Sequence, residues 1–303
     1  GPLGATHFGV GDVLGHDSRL TGGSTGGRGA VVTNRPLFNP TTFDRTRFEG
    51  DLPAGWEAEL YRNGELLAFS KASAGPPYVF EDVQLLYGEN KISILLYGPQ
   101  GQVRAREEMI NVGQDNVPPG KTWYWAGANQ PGRDLVAVRQ TERLPTTPRA
   151  QATVALEHGI DERTSVGALA QSMLLADERL TFVEGSVRRS IGTALIEVSA
   201  ARESGGGTAA RAQVLAKVGQ VNVSAEALAT RQFHYLGGEK QSVRDVRLSL
   251  DAPLRLGRQM FPAHGDIRFS RHADGTRYLE AAGRLSANIQ RFNLATDVRY
   301  RRN

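Results

Sequence analysis

The chain contains no cysteine, which removes disulfides, thiolate metal sites and Cys nucleophiles together. No apolar run reaches the roughly 18 residues that a transmembrane helix needs. That exclusion leaves β-barrels open, because their strands alternate and escape hydropathy profiles. Aromatic residues make up only 7% of the chain, and small residues carry much of the apolar total. Strands of Ala, Val and Gly bury little area each, so the apolar side of such a sheet faces something other than a tightly packed core. Lysine is scarce: Lys71, Lys91, Lys121, Lys217 and Lys240 are the only ones, and arginine supplies the rest of the 36 basic residues behind the net charge of +4. The positive charge is spread along the chain. It suits an anionic partner such as lipid head groups, or it reflects genomic base composition. Without a Lys/Arg-rich run, a zinc spacing or an aromatic-basic signature, nucleic acid is a poor fit.

Catalytic constellations are missing as well. Gly9-Val10-Gly11-Asp12-Val13-Leu14-Gly15 has its third glycine one position late for a dinucleotide loop, with no helix pattern after it. The glycine-rich stretch at residues 21–27 lacks the Gly-Lys-Ser/Thr ending that grips phosphate, and reads as a flexible loop. His7, His16, His158, His234, His264 and His272 never fall at ligand spacing. Strand carboxylates such as Glu197, Glu226 and Glu280 read as solvated charges rather than acid–base pairs. The expectation is therefore a protein that is not an enzyme, with no catalytic, cofactor-binding or metal residues and no cofactor.

What is present is β-pattern of two kinds, so the expected class is all-β. Residues 42–113 resemble a small β-sandwich of about six strands with turn signals every 8–12 residues. Asn63-Gly64, between two alternating runs, is the strongest hairpin signal among them. Residues 151–303 instead carry about ten strands of cleaner alternation. In 211–218, Ala212, Val214, Ala216 and Val218 oppose Arg211, Gln213, Leu215 and Lys217. In 221–230, Val221, Val223, Ala225, Ala227 and Ala229 oppose Asn222, Ser224 and Glu226. Short links at 204–207, 219–220 and 273–275 alternate with longer ones at 232–241 and 255–265, as two unlike barrel rims would show. Four regions follow: 1–41, lead-in strands and a Gly-rich loop; 42–113, a plug-like sandwich; 114–150, a connecting segment; and 151–303, antiparallel barrel strands. On this reading Arg211, Lys217, Glu197 and Glu226 face a lumen, and Trp123, Tyr124 and Trp125 form part of an aromatic membrane-interface girdle. The same alternation also fits a soluble sheet with one wet face, such as a cell-surface binding module for glycan or protein.

Two stretches resemble the outer-membrane ushers that assemble chaperone-delivered pili. The first runs from Arg28-Gly29-Ala30-Val31-Val32-Thr33-Asn34-Arg35-Pro36 through Gly50-Asp51-Leu52-Pro53-Ala54-Gly55-Trp56 to Asn63-Gly64. It continues with Tyr78-Val79-Phe80-Glu81-Asp82-Val83, Tyr97-Gly98-Pro99-Gln100-Gly101 and Pro118-Pro119-Gly120. This order is similar to a barrel segment leading into the family's plug. The second, Leu156-Glu157-His158-Gly159-Ile160-Asp161-Glu162-Arg163-Thr164-Ser165-Val166-Gly167-Ala168, is similar to barrel strands that follow the plug. The resemblance covers about half the chain. It implies an outer-membrane location, export and assembly of surface fibres or polymers through a gated pore, and no cofactor. The partners it implies are outer-membrane lipid and periplasmic chaperone–subunit complexes or a secreted polymer. The family's N-terminal chaperone-binding and C-terminal domains have no counterpart here, and the strand count falls short of its large barrel. With Gly1-Pro2-Leu3-Gly4 reading as a cleaved-tag scar or as native sequence, a fragment is expected.

Overall fold

The computed structural model describes residues 4–22, 25–36, 42–71, 78–86, 88–112, 116–135, 150–175, 177–256, 259–289 and 292–302. Strands dominate, and they divide into a long antiparallel sheet and an inserted unit. The first two strands, β1 (His7–Val13) and β2 (Gly27–Thr33), pair with each other. β2 then pairs with β9 (Thr122–Pro131), although some ninety residues of chain separate Thr33 from its partner Trp125. From β9 the sheet proceeds by nearest neighbours through β10 (Gln151–Gly159), β11 (Thr164–Leu175), β12 (Glu178–Ile191), β13 (Ala194–Glu203), β14 (Thr208–Val218) and β15 (Val221–Arg231). It continues through β18 (Val243–Leu256), β19 (Gln259–His272), β20 (Arg277–Ile289) and β21 (Phe292–Arg302). The result is a 13-stranded sheet with β1 and β21 at its ends; among the described residues no pairing joins those two. Between β15 and β18 lies a two-strand clip, β16 (Phe233–His234) with β17 (Lys240–Gln241), closed by a 3-10 turn at Tyr235–Gly237.

Each of the ten runs expected after residue 150 coincides with one long strand, but most strands are longer than the pattern suggested. The expected long link at 255–265 is largely strand: β18 and β19 stay in register from Val243↔His272 to Leu256↔Gln259, with Pro253 opposite Pro262. Proline lacks the ladder donor, which is why the sequence read as a loop there. Part of the expected connection at 114–150 is likewise strand β9.

The chain between β2 and β9 forms the inserted unit. β3 (Thr42–Gly50) pairs with β6 (Tyr78–Leu86). β5 (Glu65–Lys71), β4 (Glu57–Arg62), β7 (Gly88–Tyr97) and β8 (Val103–Val112) form a second sheet in that order. Both sheets bury one face in a common core that includes Phe48, Phe80, Leu85, Leu60, Ile92 and Ile94. Period-2 alternation puts Leu60 of β4 and its partner Ile94 of β7 on the same side. The Asn63-Gly64 hairpin has φ of 51° and 87°, as a turn matching the strand twist requires. Asn63 also accepts a hydrogen bond from the Lys91 amide at 2.8 Å.

A clamp ties the insertion's ends to the long sheet. Asn34, just past β2, donates to the Thr122 carbonyl at 2.8 Å and accepts from the Tyr124 amide at 2.7 Å. Gly159 packs against the strand-like approach at Pro119, where a Cβ would stand 2.2 Å from the Pro118 carbonyl oxygen, so only glycine fits.

Candidate functional site: the inner face of the long sheet

Alternation along every strand of the sheet separates two faces, and their polarity is the reverse of a soluble core. On β13, Glu197 is 8% exposed and Ser199 is 2%, while Val198 between them is 49% exposed. The sheltered, inner face carries Gln151, Thr153, Gln171, Ser190, Glu203, Arg211 and Thr230, all buried. The outer face carries exposed Val154, Leu156, Val183, Val187, Val246, Ile267, Phe269 and Val298. Cross-strand partners share a face, so the registers extend each set from strand to strand: Val187↔Val198↔Ala212↔Ala227↔Val246↔Phe269↔Leu279 is one outward row.

On the inner face, charges alternate in sign. Arg35 meets Glu157 at 3.3 Å, and Glu157 meets Arg188 at 2.8 Å. Arg188 meets Glu197 at 2.9 Å, Glu197 meets Arg211 at 3.7 Å, and Arg211 meets Glu226 at 2.6 Å. Further round, Arg247 meets Asp266 at 2.7 Å and Arg268 meets Asp245 at 2.8 Å. A sheltered charge needs a partner, and this chain supplies one at almost every step.

The link between β1 and β2 runs across this face as a strap. Ser18 donates to Glu184, and Thr21 donates to Gln171 at 2.6 Å. Arg19 donates to Gln213 at 2.8 Å and lies 3.3 Å from Glu197. Leu20 is fully buried in a small apolar cluster with Phe182 and Phe233. Glu203, whose side chain is fully buried, accepts from the His234 amide and faces its ring nitrogen, both at 3.0 Å, and so anchors the β16–β17 clip to the same cluster. Under the strap a cavity of about 300 Å³ is lined by His16, Arg35, Trp125, Glu157, Arg188 and Glu197, among others. His16 packs against Trp125 with ring centroids 5.3 Å apart and the planes tilted by 43°. Burial pushes its pKa below 6.5; Arg35 and Arg188 push the same way, while Glu157 and Asp17 oppose.

Of the residues expected to face a lumen, Glu197, Arg211 and Glu226 lie together on the inner face. Lys217 lies on it too, at one end, where it reaches Glu89 of the inserted unit at 3.3 Å. Trp123, Tyr124 and Trp125 do not act as one ring of aromatics. Trp125 pairs with Ala155 and Trp123 with Glu157, both inward positions, and only Tyr124 shares the outward face with Leu156. Consecutive residues of a strand cannot all face lipid, which corrects the girdle for the two tryptophans. The strap residues Ser18 and Thr21 had no signal in the sequence, since their partners lie some 150 residues away. Among the described residues, no cluster of His, Asp and Glu could hold a metal ion, and no helix is long and apolar enough to cross a membrane.

These features define a class: a curtain of antiparallel strands, polar within and apolar without, interrupted by an inserted all-β unit. The chain has the usher-like fold of that class. It matches the E. coli P pilus tip assembly intermediate PapC-PapD-PapK-PapG with a TM-score of 0.50 and 12% identity, over 99% of this chain and 42% of the other. It also matches the translocation pore of the P pilus usher PapC, with a TM-score of 0.42, 12% identity and coverage of 99% and 69%. A crystal structure of the same pore matches with a TM-score of 0.26, 11% identity and coverage of 98% and 80%. The chain thus spans less than half of the chain it matches at the highest of these scores. No family model and no curated protein matches it.

Proposed function

We propose that this chain is the wall and plug of an outer-membrane, usher-like pore for export and assembly of surface fibres or polymers. Strands β1, β2, β9–β15 and β18–β21 are transmembrane wall, and residues 42–113 are a plug-like sandwich domain inserted into it. Residues 1–41 and 114–150 carry the strands and links that join the two. The observation that carries this reading is the reversed polarity: Glu197 and Arg211 sheltered, Val198 and Val246 exposed. In hydrocarbon, backbone groups must pair within the protein, so strands cross only as a closed barrel, of whose wall this 13-stranded sheet would form a part. Strands of 10–14 residues at about 3.3 Å per residue, tilted by roughly 40°, span the apolar band of about 25 Å. The plug assignment draws support from three ties to the wall: Arg163 to Glu108, Lys217 to Glu89, and Thr46 to Glu162.

The inner face is charge-balanced and highly polar, which suits a polypeptide or polymer passing without adhesion. No reacting group is proposed and no cofactor is invoked. The partners proposed are outer-membrane lipid outside and periplasmic chaperone–subunit complexes or secreted polymer within. The test is reconstitution. A chain that requires detergent, migrates in a heat-modifiable way on gels and renders vesicles conductive supports the reading. A chain that stays monomeric without detergent defeats it in favour of a soluble binding module.

A further inference from the structure

Within β18–β21 the outward face of the described residues is apolar apart from Thr296 and one rim, where Arg302 also stands beside Leu279. There, three arginines stand side by side on adjacent strands: Arg244↔Arg271↔Arg277 by register. All three are exposed, and among the described residues none has an ion-pair partner. Like charges directly opposite one another destabilise a strand pair, so a row of three without a carboxylate on that face calls for an anion from outside. Asp274, in the turn between β19 and β20, accepts from the Thr276 amide at 2.8 Å, and Glu239 lies between β16 and β17.

Further along the same face is a notch. Leu250, Gly265, Gly283 and Val298 form one outward row, and Leu248, Ile267, Ala281 and Tyr300 the next. The two glycines leave a concavity of about 360 Å³ over an apolar floor. A Cβ at either would meet nothing within 4 Å, so neither glycine is demanded by packing. The near row of the notch lies four residues from the arginine row, about 13 Å along the strand.

We propose that this patch binds one phosphate-headed anionic lipid, with the phosphate on Arg244, Arg271 and Arg277 and an acyl chain in the Gly265/Gly283 notch. The inference deepens the membrane-wall reading and rests on it. Charge and shape together select a lipid: free phosphate has no use for the notch, and an apolar protein face has none for the arginines.

The test uses the whole chain in mixed micelles of neutral detergent with phosphatidylglycerol, or with phosphatidylcholine of identical acyl chains, and counts retained lipid by native mass spectrometry. Phosphatidylglycerol is expected to be retained over phosphatidylcholine. Arg244→Gln/Arg271→Gln/Arg277→Gln is expected to cut that retention about tenfold or more, at a severalfold loss per basic residue. Gly265→Leu/Gly283→Leu, which fills the notch and keeps the arginines, is expected to cut it as well. Unchanged retention in both variants overturns the site. So does competition by millimolar inorganic phosphate that leaves no dependence on the notch, or a second copy of the chain cross-linked over it. Heat-modifiable migration of the same samples reports the wall separately. Lipid lost with migration kept counts against this site alone, whereas wild-type chain without such migration overturns the membrane reading and the site with it.

Discussion

Val198 sits at the middle of β13, with Val187 and Ala212 as its outward partners, so an arginine placed there would have no carboxylate within reach. If the outward face meets hydrocarbon, Val198→Arg destabilises the chain by about 2–4 kcal/mol, the cost of a cation near the bilayer midplane. If that face meets water, the same change falls within about 0.5 kcal/mol, as exposed substitutions do. The adjacent residue is the control. Glu197 touches Arg188 at 2.9 Å and Arg19 at 3.3 Å, and its side chain is only 10% exposed. Glu197→Ala removes charge-assisted bonds but leaves Arg188 with Glu157 and Arg211 with Glu226, and costs about 1–3 kcal/mol whatever solvent bathes the other face. Guanidinium-induced unfolding in phospholipid vesicles, followed by tryptophan fluorescence, measures both. A Val198→Arg chain as stable as wild type beside a damaged Glu197→Ala chain would refute the lipid contact while leaving the register intact.

Three further outcomes follow from the strap, the clip and the inserted unit. Because folding lowers the pKa of His16 below 6.5, the unfolded segment binds its proton more readily. The stability of the strap is therefore full above pH 6.5 and falls as the pH drops below it. Trp125 fluorescence should report that loss, and His16→Gln should flatten it. Glu203→Ala removes the acceptor for the His234 amide and is expected to make residues 232–242 cleavable in limited proteolysis while the wall stays folded. Asn63→Ala puts alanine at a φ of 51° and deletes the bond to Lys91; calorimetry should show roughly 1–2 kcal/mol less stability.

Much of the wall was legible because a strand announces itself by a period of two. The opposition of Ala212 and Val214 to Arg211 and Gln213 is a local signal, and the strand pairings put the two groups on opposite faces of the sheet. What the sequence could not display is pairing at long range. The joining of β2 to β9 across the insertion, and of Ser18 to Glu184 on β12, depends on contacts with no local trace. Pro253 and Pro262 hid the extension of β18 and β19, since a proline reads as a strand stop and here the two stand opposite each other within a continuous ladder. The Trp123-Tyr124-Trp125 run misled in another way. Composition suggested an interfacial belt, but alternation turns both tryptophans inward, where Trp125 packs against His16 and Arg35 lies 5.6 Å from the Trp123 ring centre.

The most direct test of the reversed polarity exploits the missing cysteines. Single cysteines introduced one at a time from 222 to 229 along β15, spin-labelled and reconstituted in vesicles, can be probed with oxygen and with a water-soluble nickel chelate. Labels at 223, 225, 227 and 229 are predicted to be reached by oxygen and shielded from nickel, with the opposite at 222, 224, 226 and 228. Equal nickel access on both faces would contradict the account.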